Sequence, residues 1–278
     1  LHALLREGGA AVNIFRFEMK RNFRTFAIWT VAVAAFVAFM LSTFRSSFRG
    51  AGTSLEEYVK MFPESLRIAF GLDRLDLGSA EGFFGAEVHL MIILFGSMYA
   101  ALLSSSLLSK EENDRTIEFL LAKPVTRSEV VTQKSLVFVI YTTAFVLVNW
   151  LVSWASLRGL GDSEFAMRPF WLLGLMTLLS ILSVASLGFL GSVFVTRTRA
   201  VYSASLGFVL GLYALQIVAD VSEKARFLRF ITPFKWASAP DILSAGRVET
   251  VYLAVAIAAI ALSIAGSYWA YGRKDIAV

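Results

Sequence analysis

The sequence predicts an all-α polytopic membrane protein that forms a single transmembrane domain over residues 1–278. Hydrophobic residues make up 57% of the 278 residues and charged residues only 17%, whereas roughly a quarter of the residues in an ordinary soluble domain are charged. Six apolar runs each approach the length of about 20 residues that a helix needs to cross a bilayer. These runs are residues 26–44, 88–109, 135–157, 170–195, 200–219 and 250–271.

The apolar runs are predicted to be helices. They lack the alternation of apolar and polar residues that is typical of a strand. Lipid offers no hydrogen-bond partners for the backbone, and a helix satisfies its backbone groups internally. The fourth and fifth runs are separated only by Thr196-Arg-Thr-Arg199, and its two arginines favour a tight hairpin at the membrane surface. The alternative is one bent element over residues 170–219, which would leave five spans.

Basic residues near the spans predict the orientation, because cytoplasmic segments are enriched in Lys and Arg. Four basic residues precede the first span and two follow it closely: Arg16, Lys20, Arg21 and Arg24 before, Arg45 and Arg49 after. This bias predicts a cytoplasmic N-terminus. Six spans then return the C-terminus to the cytoplasm as well.

The segment before the first span is predicted to be an interfacial helix. Its apolar residues recur every three or four positions and share one helical face: Val12, Phe15, Met19, Phe23 and Phe26. Its basic residues form a stripe at i, i+4: Arg16, Lys20 and Arg24. Such a helix lies flat, with its cations close to lipid phosphates. It is either an elbow that transmits force into the first span or a passive anchor, and the two hypotheses have equal weight.

The connection between the second and third spans is predicted to form a docking surface. Asp114 is a candidate N-cap for a short helix over residues 115–122, and Pro124 ends that helix. Thr126-Arg-Ser-Glu129 matches a capping box that begins the next helix. Residues 196–199 show that a far shorter connection suffices between two spans. The alternative interpretation is a solvated amphipathic connector.

Residues 115–134 resemble the signature of ABC-2 type exporter permeases. The resemblance rests on Arg115-Thr-Ile-Glu-Phe-Leu-Leu-Ala-Lys-Pro-Val-Thr-Arg-Ser-Glu129, followed by Lys134. Weaker matches are Phe62-Pro-Glu-Ser-Leu-Arg-Ile-Ala-Phe-Gly71, Glu81-Gly-Phe-Phe84, Thr232-Pro-Phe-Lys-Trp236 and Pro240-Asp-Ile-Leu243. Arg115 departs from the pattern, since glycine is common there. The resemblance covers nearly the whole chain.

The resemblance implies six transmembrane helices with an N-terminal elbow helix, a cytoplasmic coupling helix and short outer helices before the last span. It also implies a multi-pass protein of a bacterial or archaeal plasma membrane. Its function would be that of the transmembrane permease subunit of an ATP-driven ABC exporter. Two permease copies, identical or paralogous, would work with two copies of a separate ABC ATPase subunit.

The chain itself has no phosphate loop of the pattern G-x-x-x-x-G-K-[ST]. We therefore expect no ATP hydrolysis and no cofactor in this chain, and the partner subunit would bind ATP and Mg²⁺. The uncharged spans favour an amphipathic or hydrophobic substrate. Membrane lipids are the other expected partners, and the modest net charge of +5 gives no indication of nucleic-acid binding.

The docking hypothesis assigns eight residues to the contact with the ATPase: Glu111, Glu112, Arg115, Thr116, Glu118, Phe119, Pro124 and Arg127. Phe119 would be the apolar anchor, because aromatic side chains often dominate such interfaces. The residues assigned to the elbow helix are Phe15, Arg16, Met19, Lys20 and Arg24. No catalytic or metal-binding residue is predicted.

Two other classes of function are open to such a sequence. A membrane scaffold or sensor would also dock a cytoplasmic partner, but its substrate would not stimulate ATP turnover by that partner. A membrane-embedded enzyme would need convergent ionisable residues. The spans offer only edge positions, Glu87, His89 and Asp220, and a pocket that joined all three would favour an enzyme.

Overall fold

The computed structural model describes residues 2–44, 59–69, 71–109, 125–159, 166–194 and 198–274. Within these ranges the chain forms helices connected by short turns. The helices are α1 (His2–Thr43), α2 (Glu64–Ala69), α3 (Ala80–Leu107), α4 (Arg127–Gly159), α5 (Met167–Ser192), α6 (Thr198–Val221), α7 (Pro233–Trp236), α8 (Ala239–Ala245) and α9 (Thr250–Arg273). A 3₁₀ helix, Glu223–Phe230, follows α6.

Six of the described helices are long and apolar enough to cross a membrane: α1, α3, α4, α5, α6 and α9. Each contains most of one apolar run of the sequence, so the predicted all-α fold with six spans is confirmed. The fourth and fifth runs form separate helices, because α5 ends at Ser192 and α6 begins at Thr198.

The second, third and fourth spans form the core of the bundle. In their most apolar stretches, 67%, 50% and 61% of the residues of α3, α4 and α5 are buried, against 22%, 17% and 22% in α1, α6 and α9. Among these peripheral helices, α1 packs mainly on α4, α6 on α3 and α9 on α5. Close approach within the core depends on small residues: a Cβ at Gly174 would lie 2.6 Å from Nε1 of Trp150.

The structure differs from the predicted separate elbow helix, because α1 is continuous over 42 residues. At about 1.5 Å per residue α1 is about 63 Å long, twice the thickness of the hydrocarbon layer. No glycine or proline between residues 10 and 49 interrupts it. Part of the predicted lipid face packs against the protein instead, since Phe15, Met19 and Phe26 contact the core, while Phe23 is 56% exposed.

Hydrogen bonds place the ends of four transmembrane helices together at one end of the bundle, here named the loop end. Lys134, near the start of α4, binds the Leu107 carbonyl at the end of α3, and Arg127 binds the last carbonyls of α9. Lys274 after α9 binds the Val193 carbonyl after α5. Within the bundle, Tyr141 of α4 binds the Met19 carbonyl of α1. The opposite end, which carries α2, α7 and α8, is named the far end.

The orientation is testable because the chain contains no native cysteine. We expect a membrane-impermeant maleimide to label Lys224→Cys, which is exposed at the far end, in intact cells that express the chain. Ser128→Cys, which is exposed at the loop end, should be labelled only after permeabilisation. Labelling of Ser128→Cys in intact cells would contradict the cytoplasmic placement of the loop end.

Candidate functional site

A fully buried lysine lies at the base of the connection between α3 and α4. The Lys134 ammonium donates a hydrogen bond to the carbonyl of Leu107, the last residue of α3. The same ammonium is 3.6 Å from Oε1 of Glu18 in α1, which is only 1% exposed. One side chain therefore connects three transmembrane helices and both ends of the connection whose residues 110–124 lie outside the described ranges.

The Glu18 carboxylate has two further partners on its own helix. Arg21 lies 2.9 Å from Oε2 of Glu18, and the Asn22 amide donates to the same oxygen at 3.1 Å. A buried charge is costly unless it is paired and hydrogen-bonded. Glu18, Arg21, Asn22, Leu107 and Lys134 thus form one unit, here named the loop-base cluster, in which each charged group depends on the others.

Basic side chains also satisfy the carbonyl ends of two other helices at the loop end. Arg127 donates to the carbonyls of Tyr271, Gly272 and Lys274 at 3.3, 3.1 and 2.8 Å. Lys274 in turn donates to the carbonyl of Val193 at 2.6 Å. The last carbonyls of a helix have no partner within the helix and carry its negative dipole end. A cation from a neighbouring helix satisfies both needs.

The predicted capping box is confirmed at the start of α4. The amide of Thr126 donates to Oε2 of Glu129 at 2.7 Å, and the amide of Glu129 donates to Oγ1 of Thr126 at 3.2 Å. These reciprocal bonds fix the first turn of α4 where the connection re-enters the bundle.

Arg127 is the one predicted docking residue that the described ranges contain, and it binds the end of α9. The other seven lie outside the described residues: Glu111, Glu112, Arg115, Thr116, Glu118, Phe119 and Pro124. Among the predicted elbow residues, Arg16, Lys20 and Arg24 are exposed on α1. The docking and elbow assignments of these residues stay predictions.

Sequence reasoning missed the role of Glu18. It is the single acidic residue among residues 16–24, a segment with four basic residues. A single acidic residue within a basic segment, together with the motif residue Lys134 in the first turns of α4, was the available signal for an ion pair. Hydropathy did not show it, because both Glu18 and Lys134 lie just outside the apolar runs.

Ion pairs join the connecting segments at the far end. Lys235 of α7 lies 2.5 Å from Asp220 and 3.0 Å from Asp241 of α8, and Arg74 also pairs with Asp241. Burial disfavours both charged forms, but the opposite charges outweigh it. They hold the pKa of Asp241 below its ordinary value and the pKa of Lys235 above its ordinary value.

The stabilisation by these two groups has a wide pH window. A lowered carboxyl pKa contributes stability above the ordinary Asp range, and this contribution is lost as the pH falls through the native pKa. A raised ammonium pKa contributes stability below the ordinary Lys range, and this contribution is lost as the pH rises through the native pKa. The pair should therefore hold from about pH 4 to about pH 10.

A small cavity of about 50 Å³ lies beneath this network. Such a space suits one or two waters and not a drug-sized ligand, which needs about 300 Å³ or more. His89 and Asp220 line it, but His89 Nε2 is bonded to Thr177 Oγ1 at 2.9 Å and Asp220 is paired with Lys235. Glu87 is not part of the lining. The condition that would favour an enzyme is therefore not met in the described residues.

The described ranges also contain no group of three His, Asp or Glu side chains that could hold a metal ion. In the described residues, the geometry defines a polytopic membrane protein whose polar contacts at the loop end join helices to one another.

The chain belongs to the ABC-2 family of transporter proteins, because the family described as "ABC-2 family transporter protein" matches residues 12–276. It is thus a transmembrane permease component of an ABC transporter, with an ABC ATPase as the general partner and no ATP hydrolysis of its own. A search of curated proteins found no match.

Removing one charge from the loop-base cluster should destabilise the fold more than removing both. Lys134→Met leaves the buried Glu18 carboxylate without its interhelical partner, and we expect it to cost about 3–5 kcal/mol. Glu18→Gln combined with Lys134→Met removes both charges, and the unsatisfied Leu107 carbonyl then costs about 1–3 kcal/mol. Thermal unfolding in detergent compares the two. An equal loss of stability in both would show that the pairing is not the stabilising feature.

Gly71 should tolerate a side chain less well than Gly246. Both have positive φ, 67° and 65°, but a Cβ at Gly71 would overlap Pro240, while nothing lies within 4 Å of one at Gly246. We expect Gly246→Ala to cost about 1 kcal/mol for the backbone conformation and Gly71→Ala about 1–3 kcal/mol more for the overlap. Thermal unfolding of the two variants tests this. Equal shifts of the unfolding temperature would contradict a close contact between the turn at Gly71 and Pro240 of α8.

Proposed function

We propose that this chain is the transmembrane subunit of an ATP-driven exporter that moves an amphipathic or hydrophobic substrate. Two copies, or this chain and a paralogue, would form the transport unit together with two copies of an ABC ATPase. The ATPase would bind ATP and Mg²⁺, and both termini of this chain would lie in the cytoplasm.

The observation that carries the proposal is the geometry of the loop end. Lys134 and the Leu107 carbonyl hold together the two ends of the connection that contains residues 110–124. The capping box of Thr126 and Glu129 fixes the direction in which α4 leaves it. A partner bound to this connection would therefore act directly on α3 and α4, two of the three core helices.

The hydrophobic class of substrate is supported by the surface of the spans. An apolar groove of about 240 Å³ lies between α3, α5 and α6. Its polar side chains are Ser105, Ser192 and Ser205, and its wall includes Leu187, Val201 and Phe208. Ser105 and Ser205 are hydrogen-bonded to each other at 2.8 Å. The groove therefore presents carbon and small hydroxyls, which suit a hydrophobic tail better than an ion.

Rigid-body movement is the form of transport that fits this architecture. The cavity at the far end is too small for a substrate, so export requires that the far end opens. In our proposal, closure of the ATPase pair on ATP binding displaces the connection and tilts α3 and α4.

Affinity purification of the tagged chain from its native membrane tests this function. A stoichiometric ATPase with a phosphate loop should accompany the chain, and Phe119→Ala should reduce its recovery severalfold, since an aromatic anchor commonly carries more than 1 kcal/mol. Phe227→Ala is the matched control, because Phe227 is 64% exposed at the far end. Its recovery of the ATPase should equal that of the unmodified chain.

Two results would contradict the proposal. Absence of any ATPase from the unmodified chain would favour the membrane scaffold instead. Disappearance of Phe119→Ala from the membrane would show that Phe119 supports folding and not docking.

A further inference from the structure

We propose that the loop-base cluster transmits movement from the ATPase-docking connection to α1, so that α1 moves together with α4. Glu18 and Lys134 are positioning residues in this proposal, which rests on the proposed function. Its basis is the placement of one buried ion pair between a peripheral helix and the base of the connection.

The first argument concerns which helix α1 can follow. Among the described elements α1 packs mainly on α4, and only slightly on α3. The polar bonds between α1 and α4 also lie near the loop end: Lys134 reaches Glu18, and the Tyr141 hydroxyl donates to the Met19 carbonyl. Movement of the first turns of α4 therefore reaches α1 directly.

The second argument concerns stiffness. Lys134 is 0% exposed and Glu18 1% exposed, so water cannot replace either partner while the helices stay packed. Separating the pair would break a buried ion pair and leave Glu18 to Arg21 and Asn22 on its own helix, which is more costly than separating apolar side chains. Two helices joined in this way move as one rigid body more readily than they slide past each other.

The third argument concerns freedom of movement. Only 22% of the apolar stretch of α1 is buried, so a tilt of α1 disturbs fewer buried side chains than a tilt of α3, α4 or α5 would. Its length of about 63 Å also makes it a long lever. A small rotation of α4 at the loop end would become a larger displacement near Thr43, at the other end of α1.

Distance measurements between spin labels test this proposal, because the chain has no native cysteine. Phe194→Cys, at the end of α5, is the common site; Phe23→Cys reports on α1 and Leu136→Cys on α4, and all three side chains are exposed. The complex with the co-purified ATPase is placed in lipid nanodiscs, with labelled chains diluted by unlabelled ones. Distances are compared without nucleotide and with Mg-ATP and vanadate.

In the unmodified chain both distances to Phe194→Cys should shift on trapping. In the double variant Glu18→Gln with Lys134→Met, the α4 distance should still shift, while the shift of the α1 distance should fall by half or more. The double variant is chosen because it removes both charges of the fully buried pair, and Arg21, which loses its carboxylate partner, is 24% exposed. Lys274→Met is the matched control, since Lys274 joins α9 to α5 at the same end of the bundle. It should behave like the unmodified chain.

The outcomes separate this inference from the proposed function. Absence of the ATPase from the unmodified chain, or no shift of α4 in it, overturns both. A double variant that keeps the ATPase and the full α1 shift overturns the inference alone, because the cluster is then merely structural. Loss of the ATPase from the double variant alone also overturns it, by assigning the cluster to docking.

Glu18→Asp is the second variant and keeps the experiment decisive if the double variant does not fold, because it leaves a carboxylate near the Lys134 ammonium. The shorter aspartate keeps the charge but withdraws it from Lys134 by about one carbon–carbon bond. It should reduce the α1 shift in the same direction, and an unchanged α1 shift would overturn the inference.

Discussion

The buried ammonium of Lys134 is the interaction on which the loop end depends. It satisfies a carbonyl at the end of α3 and neutralises the carboxylate of α1, while it belongs to α4. The last carbonyls of a helix have no partner within the helix, and Leu107 at the end of α3 is fully buried. A cation from a neighbouring helix meets this need, and the resulting bond joins the two helices.

The two ends of the molecule use charge differently. At the loop end, cations bind backbone carbonyls or buried carboxylates of other transmembrane helices, so each bond joins two spans. At the far end, Lys235, Asp241 and Arg74 join connecting segments to one another, and only Asp220 belongs to a span. The bonds at the loop end thus join whole helices, whereas the ion pairs at the far end mainly join the segments that connect them.

The core helices and the peripheral helices differ in how much their position depends on polar contacts. Trp150 lies against Gly174 in the core, where close packing leaves little room for adjustment. In α1, α6 and α9 most of the apolar stretch is exposed. Polar contacts therefore contribute a larger share of the contact between these helices and the core than they do within the core.

Much of this fold was predictable from local patterns. Hydropathy located all six spans, because every residue of a long apolar run contributes independently to its transfer into lipid. The capping box of Thr126 and Glu129 was predictable for a similar reason, since its atoms belong to four consecutive residues. The continuity of α1 was not predicted, although the absence of glycine and proline over residues 10–49 favours it.

By itself the sequence determined the membrane class, the six helices, the start of α4 and the resemblance to a permease family, all of which depend on residues close together in the chain. Only the tertiary structure decided that α3, α4 and α5 are the core and that Glu18 meets Lys134 across 116 positions. Helix packing determines which groups lie next to a buried charge, whereas sequence periodicity describes the face of a single helix. The pairing of two such faces is therefore visible only when the helices are assembled.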